Sequence, residues 1–155
     1  DIVAPNYKCN MTDIMAAIGL AQLKRYDEMI SRRHEIIKKY DELKDKLGCK
    51  GAVHTGDNFR SCGHLYQLRL IGFSEQERND FITMMAENGV ATNVHFKPLP
   101  MHTAYKNLGF DIVDYPNAYA HFENEITLPL HTCLTDEDVE YVISVSISVP
   151  SIKVI

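Results

Sequence analysis

The strongest constraint on the fold lies near the start of the chain, where residues 12–47 contain no proline and a single glycine, Gly19. Three hydrophobic residues recur here at intervals of seven, namely Leu23, Ile30 and Ile37. Pairs of charged residues lie between them. This pattern predicts one long amphipathic helix over about residues 12–47. Unbroken, it would span roughly 54 Å at about 1.5 Å per residue, more than a compact domain of this size needs. We therefore expect its first half to pack on something outside this chain.

Composition restricts the class of protein. A chain of 155 residues is long enough for one domain with a core and too short for two. The net charge of −5 argues against a nucleic-acid partner. No apolar run reaches the length that a bilayer requires, and residues 1–5 lack the pattern of a signal peptide. A cytoplasmic location is expected.

The rest of the chain alternates between strand and helix patterns. We predict strands over residues 64–71, 90–96 and 125–130, a helix over 75–87 opened by a capping box, short helices over about 101–108 and 116–124, and a last helix from 136. This order predicts an α+β fold, in which a small, mainly antiparallel sheet is covered on one face by helices. The predicted division is an irregular lead-in (1–11), one domain (12–149) and a tail (150–155).

Cysteine and histidine patterns indicate neither disulfides nor metal. The four cysteines occur singly, without a CxxC pair, so we expect reduced, packed thiols. The seven histidines are scattered, with no HExxH motif. No metal site is predicted.

Several motifs, in order, resemble one known family. They are APNYKCNMTDI (4–14) leading into the long helix, HLY (64–66), GVATNVHFKPL (89–99), and LPL (128–130) followed by LTDEDV (134–139). Together they resemble the C-terminal domain of the DegT/DnrJ/EryC1/StrS family of pyridoxal-phosphate (PLP) dependent sugar aminotransferases. The resemblance implies the small domain of a fold-type I PLP transferase.

The resemblance also implies an activity for a larger parent. Such an enzyme is a homodimer that transfers an amino group from an amino-acid donor, glutamate in the usual case, to a nucleotide-linked keto sugar in polysaccharide or amino-sugar biosynthesis. PLP chemistry needs a lysine that binds the cofactor covalently and a carboxylate at the pyridine nitrogen. In the family both belong to the N-terminal domain, and nothing in this chain matches that lysine's surroundings. The chain alone is therefore expected to be inactive, with no catalytic residue of its own.

Two residues before the long helix are candidates for cofactor binding. The resemblance places Lys8 and Asn10 near the cofactor phosphate of the partner subunit, with Lys8 as a point charge and Asn10 as a neutral donor. The alternative is a solvated lysine and an asparagine that caps the helix.

The motif around residue 95 supplies the candidates for substrate binding. The resemblance places His95 and Phe96 at the mouth of the active site, and His102 is a candidate for a family histidine whose position holds Pro100 here. Lys97 and Tyr105 are weaker candidates. A structural role for His95 is the alternative.

Two other hypotheses stay open, and the first of them rests on departures from the family pattern. Asn6, Cys9, Phe96 and Pro100 differ from the usual residues, which is compatible with a catalytically silent regulatory or interaction protein of the same fold. A freestanding helical dimeriser that uses residues 12–47 is the third reading.

Overall fold

The computed structural model of the chain describes residues 1–4 and 10–148. The helices and strands are, in chain order, α1 (Asp13–Leu23), α2 (Tyr26–Lys46), β1 (Lys50–Gly51), β2 (Thr55–Gly56), β3 (Phe59–Arg60), β4 (Tyr66–Arg69), α3 (Glu75–Glu87), α4 (Thr103–Lys106), α5 (Pro116–Phe122), β5 (Glu125–Leu128) and α6 (Asp136–Ile147). Within these ranges no helix combines the length and the apolar character that crossing a membrane requires.

A three-stranded antiparallel sheet in the order β1–β4–β5 lies at the centre of the fold. Successive side chains of a strand point to opposite faces. Tyr66 and Leu68 of β4 are paired with Leu128 and Ile126 of β5, and all four side chains are at most 1% exposed. Buried side chains of α2, α3 and α6 belong to the same hydrophobic core. The predicted α+β fold with a small antiparallel sheet is confirmed, and α2, α3 and α6 pack on one face of that sheet.

The predicted helix over residues 12–47 is divided in two, so the expectation of one continuous helix is wrong at Lys24 and Arg25. The Arg25 N–H donates to Gln22 O at 2.9 Å, and α2 begins at Tyr26. Neither proline nor glycine causes this break. The two halves differ in packing, because α1 has no buried residue whereas α2 contributes four residues to the core. Within this chain the core therefore holds α2, and α1 contributes no residue to it.

The predicted strand over residues 90–96 is also wrong, because the described backbone forms a single bridge there, between Asn93 and Thr127. At His95, two residues after this bridge, side chains rather than a neighbouring strand bind the main chain. Gln67 Nε2 donates to His95 O, and the His95 N–H donates to Glu125 Oε2 at 2.9 Å. With its N–H and C=O bound in this way, His95 leaves the sheet.

Two of the remaining helices, α3 and α6, begin where their capping boxes predict. Ser74 and Glu77 form the capping box of α3, and Thr135 and Asp138 form the corresponding box of α6. The residues that cap a helix are local in sequence, which is why these boundaries are predictable.

A buried polar cluster lies beside the core at His54, which is 8% exposed. Its Nδ1 lies 2.8 Å from Ser61 Oγ, and its ring stacks on Tyr66 with the ring centroids 5.6 Å apart. Nε2 is buried and has no hydrogen-bond partner among the described residues. Burial lowers the pKa of His54, Asp41 opposes this shift, and nearby His34 and Lys44 reinforce it.

This arrangement predicts that the fold loses stability in mild acid. The unfolded chain takes up the His54 proton near pH 6.5, whereas the folded chain takes it up at lower pH, so the unfolded state binds more protons between the two values. We expect the free energy of unfolding to fall between about pH 7 and about pH 5. In His54→Phe, which retains a ring against Tyr66, this His54 contribution is absent.

Denaturant unfolding at both pH values measures the effect. The difference between the wild type and His54→Phe isolates His54, because Glu125, whose pKa burial raises, gives both proteins a slope of the opposite sign. Replacement of the exposed His131 by Gln is the control and should leave the slope of the wild type unchanged. An unchanged slope in His54→Phe would contradict the assignment.

Candidate functional site

The second face of the sheet is polar and carries the candidate site. Gln67 and Arg69 alternate with the core residues of β4, and their cross-strand partners on β5 are Thr127 and Glu125. Glu125 and Thr127 are 5% and 6% exposed. Four polar side chains thus share one largely covered face, where each needs a hydrogen-bond partner.

The segment that follows the Asn93 bridge covers this face. The backbone of His95 is bound on both sides, by Gln67 at its carbonyl and by Glu125 at its N–H. The peptide bond between His95 and Phe96 is cis. Two side chains of the sheet therefore fix the position of His95 through its main chain.

The side chain of His95 continues into a short hydrogen-bonded chain. His95 Nδ1 lies 2.9 Å from Thr127 Oγ1, and Thr127 Oγ1 donates to Glu125 Oε1 at 2.6 Å. Glu125 thus reaches His95 twice, once through the main chain and once through the threonine hydroxyl. The imidazole has its second nitrogen, Nε2, left for a ligand, and that nitrogen has no hydrogen bond to another described residue.

The carboxyl group of Glu125 is the buried acid of the site. Burial raises the pKa of Glu125, and this shift is opposed by the hydrogen bonds from Thr127 and from the backbone of His95 and by the positive charge of Arg78. These three interactions favour the ionised carboxylate in a place where water is largely excluded.

Two arginines anchor α5 and the start of β5. Arg69 Nε donates to Asn124 Oδ1 at 3.1 Å, and its NH2 group donates to Ala120 O at 2.7 Å. Arg78, which is 2% exposed, donates to the carbonyls of Phe122 and Glu125 at 2.9 and 3.2 Å. The arginines therefore hold the helix that borders the site and the backbone of Glu125 itself.

A cavity of about 320 Å³ lies over the polar face. It is lined by Lys50, Gly51, Ala52, Gln67, Arg69, His95, Phe96, Ala118, His121, Phe122 and Glu125. Phe96 is 72% exposed, and its ring meets that of His95 edge to face with the centroids 4.6 Å apart. Donors, acceptors and an aromatic ring around one cavity can bind a small polar ligand.

The candidates from the sequence do not all meet in this cavity. His95 and Phe96 line it. Lys8 lies outside the described residues, and Asn10 is exposed just before α1. His102 does not line the cavity, and its role in substrate binding stays a prediction.

His102 contacts the first residues of the chain. Its Nδ1 lies 3.2 Å from both the backbone N of Ile2 and Asp1 Oδ1. Asp1 Oδ1 also accepts a hydrogen bond from the Thr103 N–H at 3.0 Å, at the start of α4. These contacts attach residues 1–2 to the segment that contains His102, a pairing that sequence separation conceals.

The weaker candidates, Lys97 and Tyr105, do not line this cavity. Tyr105 lines a second, apolar cavity of about 390 Å³ with Pro98, Leu99, Pro100, Phe110, Tyr115 and Ala118. Lys97 is exposed.

The residues that the structure describes, 1–4 and 10–148, include seven histidines and three of the cysteines, and Cys9 lies outside them. No group of three or more His, Cys, Asp or Glu side chains is placed there to hold a metal ion. Cys49 is half-buried, but Cys62 and Cys133 are exposed, so the expectation of packed thiols is wrong for these two. Both lie in connecting segments, one before β4 and the other before α6, where the core does not reach.

Four residues of the site were missed at the sequence level: Gln67, Arg69, Glu125 and Thr127. The signal that could have found them is the alternation within YQLR (66–69) and EITL (125–128), which puts polar and apolar residues on opposite faces of both strands. If another segment is expected to cover the polar face of two paired strands, the polar residues of that face become candidates for a binding site.

Comparison with known proteins agrees with the motifs. Residues 3–146 match the DegT/DnrJ/EryC1/StrS aminotransferase family. The solved structure of Spr1654 from Streptococcus pneumoniae, described as a sugar aminotransferase, is 53% identical, with a TM-score of 0.84, and the likeness covers 94% of this chain and 37% of that one. Structures of Spr1654 in a PLP form and a PMP form are similar to this chain as well.

Two curated relatives add functional context. The spore coat polysaccharide biosynthesis protein SpsC of Bacillus subtilis is 36% identical over 92% of this chain and 38% of its own length. The UDP-4-amino-4,6-dideoxy-N-acetyl-beta-L-altrosamine transaminase of Campylobacter jejuni is 27% identical over the same shares of both chains. The chain thus spans about two fifths of the relatives it matches. With a family match from residue 3 to residue 146 and a fold shared with Spr1654, this chain belongs to the DegT/DnrJ/EryC1/StrS aminotransferase family.

Proposed function

We propose that this chain is the C-terminal part of a PLP-dependent aminotransferase that transfers an amino group to a nucleotide-linked keto sugar. The observation that carries the proposal is the cavity on the polar face of the sheet, where hydrogen bonds hold both the main chain and the side chain of His95. The chain that contains this cavity belongs to an aminotransferase family. In this proposal His95 and Phe96 form one wall of the sugar pocket. His102 is a further substrate contact, through the segment that binds residues 1–2.

The residues before α1 suit a contact with the cofactor of a neighbouring subunit. Asn10 is exposed two residues before the N-cap Thr12, and its amide can donate to a phosphate oxygen. Lys8, two residues earlier, adds a positive charge. PLP when bound supplies an electron sink for the substrate carbon that loses or gains the amino group. The covalent lysine belongs to the part of the protein that precedes this chain in the proposal, so the chain alone is inactive.

The surface of α1 supports burial against other parts of a homodimer. Its apolar side chains and that of Met11 are 58–76% exposed: Met11, Ile14, Met15, Ile18, Leu20 and Leu23. An exposed apolar patch of this kind is typical of an interface. We assign it to contacts with the preceding domain and with the partner subunit.

The relatives suggest the metabolic setting. The names of SpsC and of the Campylobacter transaminase refer to polysaccharide biosynthesis and to an amino sugar linked to UDP. We extend both features to the protein that contains this chain: its acceptor is a nucleotide-linked keto sugar used in polysaccharide or amino-sugar biosynthesis, and its donor is an amino acid such as glutamate. Its location is the cytoplasm.

The test compares two proteins from the same gene. With PLP added, the full-length protein should show a cofactor absorbance band that is lost when its cofactor-binding lysine is replaced by alanine, and should aminate a UDP-linked 4-keto sugar with glutamate as donor. The 155-residue chain should show neither. A full-length protein without a lysine-dependent band and without transamination would contradict the proposal and favour a regulatory or interaction protein of this fold.

A further inference from the structure

We propose that Glu125 and Thr127 are positioning residues that fix the tautomer of His95, with the proton on Nδ1, so that Nε2 accepts a hydrogen bond from a hydroxyl group of the substrate. The assignment of the ligand as a sugar rests on the proposed function. The tautomer rests on the hydrogen-bonded chain alone.

The direction of the hydrogen bonds that join His95, Thr127 and Glu125 follows from the number of protons that each group holds. The Thr127 hydroxyl has one proton, and it donates that proton to Glu125 Oε1 at 2.6 Å. The contact of 2.9 Å between Thr127 Oγ1 and His95 Nδ1 therefore needs a proton from the imidazole. A neutral histidine with its proton on Nδ1 has a lone pair on Nε2.

Glu125 is bound as an acceptor at both of its oxygens. Oε1 accepts from Thr127, and Oε2 accepts from the His95 backbone N–H at 2.9 Å. The backbone N–H can only donate, so the carboxylate is oriented by a group that cannot reverse its role. While the carboxyl group is ionised, a state that the charge of Arg78 favours, Oε1 can only accept as well, and the tautomer at the other end of this series of hydrogen bonds is then fixed.

The acceptor at Nε2 selects the kind of group that the cavity binds. A phosphate or carboxylate without a proton would meet a lone pair there, with the carboxylate of Glu125 in the same wall. An ammonium group could donate to Nε2, but it would enter a cavity that two cations, Lys50 and Arg69, also line. A neutral hydroxyl avoids both repulsions, and sugar rings carry several.

The experiment reads the tautomer directly in the full-length protein. With ¹⁵N-labelled histidine, solid-state NMR distinguishes protonated from unprotonated ring nitrogens, and subtraction of the His95→Gln spectrum assigns the signals of His95. We expect protonated Nδ1 and unprotonated Nε2 at neutral pH without substrate. Thr127→Ser retains the hydroxyl and should preserve this pattern, whereas the isosteric Thr127→Val should shift His95 towards a mixture of the two tautomers.

Two results would overturn the proposal: a wild-type His95 with its proton on Nε2, or the same tautomer in the Val and Ser variants. The wild-type spectrum decides the question even where a variant fails to fold. Because no substrate or turnover is needed, a failed transaminase assay leaves this test intact, and a wrong tautomer leaves the proposed function standing.

Discussion

Replacement of Arg78 by methionine is expected to destabilise the fold by about 3 kcal/mol, because it removes a buried donor from two main-chain carbonyls. NH1 of Arg78 donates to Phe122 O and Glu125 O, Nε donates to Asn79 Oδ1, and the guanidinium lies 4.8 Å from the centroid of the Phe122 ring. Methionine fills much of the same volume and has no donor, so both carbonyls stay buried without a partner. Denaturant unfolding followed by circular dichroism measures the loss.

Arg32→Met is the matched control. Arg32 also donates to a main-chain carbonyl, that of Leu134 at 2.7 Å, and pairs with Asp136 at 2.9 Å, but its side chain is 24% exposed. Water can replace the lost donor there, so we expect a cost of about 1 kcal/mol or less. A loss below about 1 kcal/mol for Arg78→Met would mean that the buried contacts of Arg78 contribute little, and equal losses in the two variants would mean that burial does not set the cost.

The role of Arg78 links stability to the site. Its two carbonyl contacts join the end of α5 to the start of β5, and Glu125 is the first residue of β5. The same guanidinium opposes the rise of the Glu125 pKa that burial causes. One side chain on α3 therefore helps to hold both the position and the charge of the acid that reaches His95.

Local patterns were sufficient for the core and for most of the helix boundaries. The capping boxes of α3 and α6 depend on residues three apart, and the core faces of β4 and β5 follow from alternation within each strand. The break at Lys24–Arg25 was not predictable in this way, because it depends on which half of the helix the core buries. A periodic sequence indicates an apolar face, and whether that face is covered depends on the rest of the protein.

The candidate site was predicted in part. A motif identified His95 and Phe96, and the structure brings both to one cavity. The partners of His95 could not be identified from spacing, since Gln67, Glu125 and Thr127 lie 28 to 32 residues away along the chain. The replacement of strand pairing by side-chain hydrogen bonds to His95 is a tertiary feature, which is why a strand was predicted where none forms.

Under the proposed function, replacement of His95 by asparagine in the full-length protein is expected to lower kcat/KM for the sugar by about 5- to 150-fold. This corresponds to about 1–3 kcal/mol for a substrate group left without its partner. Asparagine is polar but too short to reach the position of Nε2, and the loss should appear in KM if the contact is made equally in the ground state and the transition state. Steady-state kinetics with the UDP-linked keto sugar and glutamate measure it.

The matched control is His121→Asn, because His121 lines the same cavity but is exposed and has no hydrogen bond to another described residue. We expect less than about a threefold change there, since a solvated side chain that is removed leaves no buried group unpaired. Unfolding of both variants, measured in parallel, separates a loss of binding from a loss of structure. If His95→Asn retains the kcat/KM of the wild type while His121→Asn loses it, the sugar contact lies on α5 instead, and the hydrogen bonds that hold His95 serve the fold alone.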